Sequence, residues 1–433
     1  MKYICFYFQI HQPFRFRNYS FFDIGKDHYY YNDYLNESVL QKVVQKSYLP
    51  TNTLMLKLIK EHGSKFKISF SISGSALDQF ELYAPEVIES FKQLAQTGNV
   101  EFLAETSAHS LASQIDFSIF KKQIQQHALR IEQLFGVKPK IFRNTELIYS
   151  DQIGAEIYKM GFKGMLTEGA KHILGWKSPN YLYYNAMQPK MKLLLKNYKL
   201  SDDIAFRFSN KNWDQYPLTA EKFAFWLTEL NPKEEVVNLF LDYETFGEHQ
   251  WADSGIFNFL ESLPRAVIKN TPFTFETPSA IIKKLQPVAV INVPHAISWA
   301  DEERDLTAWL GNCMQNEAFR KLYGLSPKID QINDPKLLQD WEYLQASDHF
   351  YYMSTKWFTD GEVHAYFNPY KDPYEAFINY MNVLTDFAGR VNSFVPDTSE
   401  NKEINRLNGM LIEKITEIER LKEQLKRMKK KVS

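Results

Sequence analysis

The sequence predicts an α/β protein whose first 275 or so residues form a parallel barrel, followed by a mainly helical region and a coiled-coil tail. Two observations carry the barrel. Short apolar runs alternate with helical stretches about six or seven times, the pattern a parallel sheet imposes because each strand is reached through a helical crossover. The residues fit for chemistry fall just after those runs, where α/β enzymes display reactive groups. Periodicity by itself leaves a doubly wound open sheet as the alternative, and the strand-end placement favours a barrel with its site at the C-terminal mouth.

Tyr3 to Ile10 reads as the first strand, closed by His11-Gln12-Pro13 because proline cannot continue a ladder. A Tyr-rich loop, Tyr29 to Tyr34, leads to helical stretches over about 38–46 and 52–61, with Leu54, Leu58 and Ile59 on one face. Phe66 to Ile72 alternates as a strand, Leu77 to Gln96 reads as one helix, and Gly98 follows as its stop. Val100 to Ala104 is a short strand ending on Glu105-Thr106-Ser107-Ala108-His109. Asp116 caps a long helix that Gly136 ends, and Ser150 or Asp151 caps another to Met160. Gly164 to Thr167 is the next strand, Leu218 to Leu230 is helical, and Val236 to Leu241 is a buried strand that turns acidic at Asp242, Glu244 and Glu248.

Past residue 276 the pattern turns helical, over Thr277–Leu285, Asp301–Leu322, Asp334–Phe350 and Asp372–Val391. In the tail, counting by sevens places Ile404, Leu411, Ile418 and Leu425 on one seam position and Leu407, Lys414, Leu421 and Met428 on the other. With Glu417 and Lys422 at flanking positions, this predicts a coiled coil that leans towards a parallel dimer. The alternative is an amphipathic helix docked on its own domain. The domain boundaries are therefore read as 1–275, 276–396 and 397–433.

Composition narrows the function. Lys plus Arg is 51 against 52 Asp plus Glu, so no bulk basic field exists to hold nucleic acid. Cys5 and Cys313 match no disulfide framework or thiolate metal motif, as in a reducing compartment. No cleavable leader and no apolar run of bilayer length is read, which points to a cytoplasmic protein with no membrane partner. The 33 Phe, 25 Tyr and 8 Trp are expected mostly in the core, with some Tyr and Trp as platforms for sugar rings.

Two strand-end carboxylates, Glu146 and the Asp242/Glu244 pair, suit acetal cleavage. That reaction needs one carboxylate to attack or activate water and one carboxylic acid to protonate the departing oxygen. Asp242 and Glu244 share a side if the strand persists, and either can be the acid. As isolated residues, all of these are more often caps or ion-pair members.

His11-Gln12-Pro13, Gly74-Ser75, Glu105 to His109, Phe142 to Tyr149 and Leu241 to His249 resemble, in order, the conserved blocks of glycoside hydrolase family 57, within it the intracellular α-amylase group. His295 to Asn312, Ser347 to Lys356 and Asp360 to His364 extend the resemblance, which covers about residues 3 to 390. It implies a (β/α)7 barrel and retaining hydrolysis of α-1,4-glucosidic bonds in glycogen, starch or maltodextrins, with no cofactor and no metal. Glu146 would be the nucleophile and Asp242 the general acid/base. His11, Glu105, His109 and Glu244 would hold the reactive sugar, while Trp299, Asp305 and Trp309 would wall it from the helical side. One departure is Gln9, where the family commonly has a histidine, which bears on subsite preference. A 4-α-glucanotransferase on the same intermediate is the near alternative. More distant ones are a metal-dependent deacetylase or α-mannosidase-like hydrolase using His11, His109 and Asp242, and a non-catalytic glucan-binding scaffold.

Overall fold

A computed structural model describes residues 2–356 and 367–395, together with Leu407, Met410, Leu411, Lys414, Glu417, Ile418 and Leu421 of the tail. The strands are β1 (Lys2–Ile10), β2 (Ile68–Ile72), β3 (Val100–Phe102), β4 (Ile141–Arg143), β5 (Gly164–Glu168), β6 (Tyr183–Asn185), β7 (Lys192–Lys196), β8 (Val236–Asp242), β9 (Phe246–Gly247), β10 (Gln250–Trp251), β11 (Phe273–Phe275) and β12 (Ala289–Ile291). One sheet runs β11–β1–β2–β3, with β8 also paired to β1; the other runs β12–β6–β7–β5–β4; and β9 and β10 pair with each other. All pairings are parallel except β6 with β7.

β1 is central because it is apolar on both faces: every residue from Tyr3 to Ile10 is buried, as are Val236 to Leu241 of β8 beside it. The two large sheets touch at both ends of this core. A parallel bridge joins Ala104 to Phe142, and the Asn238 amide donates to the Leu195 carbonyl at 2.8 Å. The aromatic residues fill the interior as expected. Phe8 packs on Phe70, Tyr243 and Phe246 with ring centroids 5.1 to 5.8 Å apart.

Local capping signals translate directly. The Asp116 carboxylate accepts from the Ser118 and Ile119 amides, Gly136 ends that helix at φ +75°, and Ser150, not Asp151, caps Asp151–Lys159. Three long helical readings are instead broken. The stretch 77–96 divides into Gly74–Tyr83 and Pro85–Gln96, because Ala84, preceding proline, is driven out of the helical region. Asp301–Leu322 is not one helix: Asp301 and Arg304 adopt φ near +50°, and helices Thr307–Leu310 and Cys313–Tyr323 follow, the second capped by a reciprocal Asn312–Gln315 pair. The stretch 334–350 divides into Pro335–Leu344 and Ser347–Tyr351. A helix at Ile256–Asn270, unread in the sequence, packs against helices Ala220–Thr228 and Leu49–His62 and strand β11, and carries Pro264 in its interior.

The described tail residues are helical, and the seam residues Leu407, Leu411, Ile418 and Leu421 are each about half exposed. Ile404, Leu425, Met428 and the basic run 426–431 lie outside the described residues, as does His364 with its motif. Among the described residues no helix is long and apolar enough to cross a membrane.

Candidate active site

The site assembles where the parallel strands end. β4 stops at Arg143, and the chain turns through Thr145–Leu147 with Glu146 at φ +55° and Leu147 at +52°. Left-handed backbone at two successive non-glycine residues costs on the order of 1 kcal/mol each, so surrounding contacts must hold it. They do. Ser347 Oγ donates to Glu146 Oε1 at 2.9 Å. Trp299 Nε1 donates to Oε2 at 2.8 Å, and the Trp299 amide donates to the Glu146 carbonyl at 3.2 Å. Both side-chain donors come from beyond residue 290, so the helical region fixes a carboxylate that β4 delivers.

Next to it lies a buried charge cluster. The His109 ring stands between two carboxylates, with Nε2 3.5 Å from Glu146 Oε1 and Nδ1 3.6 Å from Glu105 Oε2. Burial opposes a charge on this ring, but Glu105 and Glu146 outweigh it and raise its pKa to about 9. His109 is thus an imidazolium at neutral pH. Glu105 also faces Arg143 Nη1 at 3.6 Å, and despite full burial its pKa is lowered by His109, His127 and Arg143. His11 stacks on His109 with centroids 3.7 Å apart; its Nδ1 meets Ser73 Oγ and its Nε2 meets Asp348 Oδ2, both at 2.7 Å. Burial and the neighbouring His109 charge lower the His11 pKa.

The second carboxylate group ends β8. Asp242 is the register partner of Gln9 on β1 and is partly exposed. Among the described residues no donor lies within hydrogen-bonding distance of its carboxylate. The strand stops there, so Glu244 is carried on a 3-10 turn, Tyr243–Thr245, instead of continuing the strand's alternation. It is buried and accepts a hydrogen bond from the Tyr48 hydroxyl. Burial, reinforced by repulsion from Asp242, pushes its pKa up to about 8.

Gln9 is locked among these groups. Its carbonyl accepts from Tyr7 at 2.8 Å and Ser71 at 2.9 Å, and its amide donates to Glu105 at 3.3 Å. Arg143 serves Glu105 and also lies over the Trp299 ring at 4.9 Å, while the Lys196 ammonium approaches the same ring at 5.3 Å. Seven of the nine expected residues are thus brought together: Glu146, Asp242, His11, Glu105, His109, Glu244 and Trp299. Two are not. Trp309 is buried in the core, its ring tilted against Tyr351. The Asp305 carboxylate accepts from the Thr307 amide at 2.8 Å and hydroxyl at 2.6 Å, which makes it a turn and helix-start residue.

Ser347, Asp348, Tyr48 and Arg143 were not singled out as site members from sequence. The Ser347-Asp348-His349 block was the available signal, but nothing local tells which side chain turns to which partner. Among the described residues no group of three or more His, Cys, Asp or Glu has an arrangement that could hold a metal ion.

The sequence profile of glycosyl hydrolase family 57 matches residues 5–294. A protein of Methanocaldococcus jannaschii named "Putative alpha-amylase" is 41% identical over 422 residues, covering 94% of this chain and 88% of its own. Two solved structures share the fold at low identity. The family 57 branching enzyme of Thermococcus kodakaraensis superposes with a TM-score of 0.64 at 12% identity, covering 94% of each chain. The α-amylase AmyC of Thermotoga maritima gives 0.60 at 14%, covering 94% of this chain and 96% of its own. The profile match through most of the strands, and the relative at 41% identity over nearly the whole length, establish that this chain belongs to glycosyl hydrolase family 57 and is a glycoside hydrolase.

Proposed function

We propose that the protein is a retaining α-amylase that cleaves α-1,4-glucosidic bonds of glycogen, starch or maltodextrins in the cytoplasm. The observation that carries this reading is the contrast between its two strand-end carboxylates. Glu146 is held at both oxygens by Ser347 and Trp299, the condition for a nucleophile that must meet one carbon in line. Asp242 stands partly exposed and, among the described residues, takes no hydrogen bond, which leaves its carboxyl open to a departing glycosidic oxygen. One Glu146 oxygen attacks the anomeric carbon as Asp242 protonates the departing glycosidic oxygen. Asp242 then takes a proton from water as that water's oxygen displaces Glu146, releasing the sugar. His11, Glu105, His109 and Glu244 are assigned to holding the reactive sugar. Trp299 both holds Glu146 and borders the subsite.

The strand order and the two links between sheets support a closed ring β1–β2–β3–β4–β5–β7–β8, a (β/α)7 barrel spanning 1–275, with 276–396 completing the site. Residues 397–433 are assigned to a parallel coiled-coil homodimer, on the heptad pattern and the exposure of Leu407, Leu411, Ile418 and Leu421. Light scattering on the full chain tests this: a dimer that Ile418→Glu dissociates is expected, and a monomeric parent chain refutes it.

Chelator-treated protein incubated with maltoheptaose, beside Glu146→Gln, tests the catalytic reading. Shorter oligosaccharides alone, absent in the variant, are expected. Longer products formed alongside them identify a 4-α-glucanotransferase, and unaltered activity in the variant removes Glu146 from the mechanism.

A further inference from the structure

At the opposite ends of the strands from Glu146, the molecule carries a second concave site of reversed charge. A cleft of about 630 Å³ opens beneath the starts of β4, β5 and β7. This is a size typical of small-molecule sites, which run from about 300 to 1,000 Å³. Six lysines line it: Lys138, Lys140, Lys163, Lys190, Lys192 and Lys283. The register explains the convergence. Ile141, Gly164 and Lys192 lie side by side across three adjacent strands, so the residues just before the first two, Lys140 and Lys163, emerge beside Lys192. Lys138 and Lys190 come from the turns leading in, and Lys283 from helix Pro278–Lys284.

No carboxylate among the described residues pairs with any of the six, in a chain whose basic and acidic residues are nearly equal in number at 51 and 52. Glu101 acts on Lys140 only through its field: its carboxylate accepts from the Ser279 amide at 2.9 Å. Six like charges around one cleft repel each other unless an anion enters. Lys192 is also pre-set: its ammonium donates to the Ile282 carbonyl and, at 3.4 Å, to that of Leu285. The Lys163 ammonium sits 4.1 Å from the centre of the Tyr158 ring. Between the charges the floor is apolar, formed by Pro139, Phe162 and Ile282. Gly164 keeps this floor closed tightly, since a Cβ there would meet Ile141 Cδ1 at 2.8 Å and Ile282 Cδ1 at 3.0 Å.

We infer that this cleft binds a small phosphate ester carrying two or more phosphate charges, with its organic part on the apolar floor. Lysines serve phosphate groups as point charges that need no fixed fork geometry, and several together suit a polyphosphate better than a single carboxylate. The inference is independent of the glucan reading, because its test reads binding and not turnover.

Calorimetric titration of the full chain with ATP, pyrophosphate and adenosine, without divalent cations and at about 50 mM salt, tests it. One saturable site for ATP and for pyrophosphate is expected, with no binding of adenosine. Tighter binding of ATP assigns the floor to the organic part, whereas equal binding assigns the site to the phosphates alone. The Lys140→Gln/Lys163→Gln/Lys283→Gln variant is expected to weaken binding at least about tenfold while glucan turnover is kept. Lys138→Glu on the exposed approach serves if the triple variant fails to fold. No saturable binding, or binding unchanged in these variants, overturns the proposal.

Discussion

The β4 and β8 sides of the mouth deliver the same functional group under opposite constraints. At β4 the carboxylate of Glu146 is clamped by two donors from the helical region and faced by a cationic His109. At β8, Asp242 is left open, and the group beside it, Glu244, is buried and pushed towards its neutral form. On the proposed mechanism one side serves position and the other proton exchange, and that difference can be attacked residue by residue.

The largest expected effect is at Glu146. Glu146→Gln keeps shape and both donors' surroundings but cannot form the ester, so kcat should fall on the order of 10⁴-fold or more with substrate binding retained. Asp242→Asn comes next, with a loss on the order of 10²- to 10⁴-fold on maltodextrins. An aryl glycoside with a good leaving group should escape much of that loss in the bond-breaking step, because it needs no proton. Equal losses on both substrates would place Asp242 outside acid catalysis.

Ser347→Ala removes one charged hydrogen bond, worth about 1.5–3 kcal/mol, and should lower kcat roughly 10- to 100-fold without a matching change in KM. Ser347→Thr should restore most of it. If alanine leaves kcat unchanged, the clamp is Trp299 alone.

The smallest effect is on stability. Glu244 binds its proton up to about pH 8 in the folded chain, against an ordinary value of 4.5, so its contribution is full below pH 4.5 and is lost as pH rises to about 8. His109 adds the same sign between 6.5 and about 9. Melting temperature should therefore decline from pH 5 to 8, and Glu244→Gln, which mimics the protonated acid, should flatten that decline. A variant whose melting curve follows the parent's pH dependence would contradict the raised pKa.

Much of this site was legible because its carriers are local. A buried apolar run ending in a carboxylate, as at β8, or a capping aspartate before a helix, as at Asp116, is written within a few residues. The placement of Trp309 and Asp305 was not legible, for the complementary reason. Their block lies in the right neighbourhood, but whether a side chain faces the mouth or the core depends on the turns at Asp301 and Arg304, which reset the direction of the chain. The helices broken at Ala84 and before Ser347 belong to the same class: propensity favoured continuity, while proline sterics and packing chose a break.

The sequence by itself determined the α/β alternation, the strand ends that carry Glu146 and Asp242, and the family, since periodicity and short ordered motifs survive without a third dimension. Only the tertiary structure decided that Ser347 reaches Glu146 across 201 residues and Asp348 reaches His11 across 337. It alone gathered six lysines, from Lys138 to Lys283, beneath the starts of three adjacent strands. The physical reason is that hydrogen bonds and charge fields act over a few ångströms of space. Chain separation does not limit them once strand register and helix packing have fixed which ends meet.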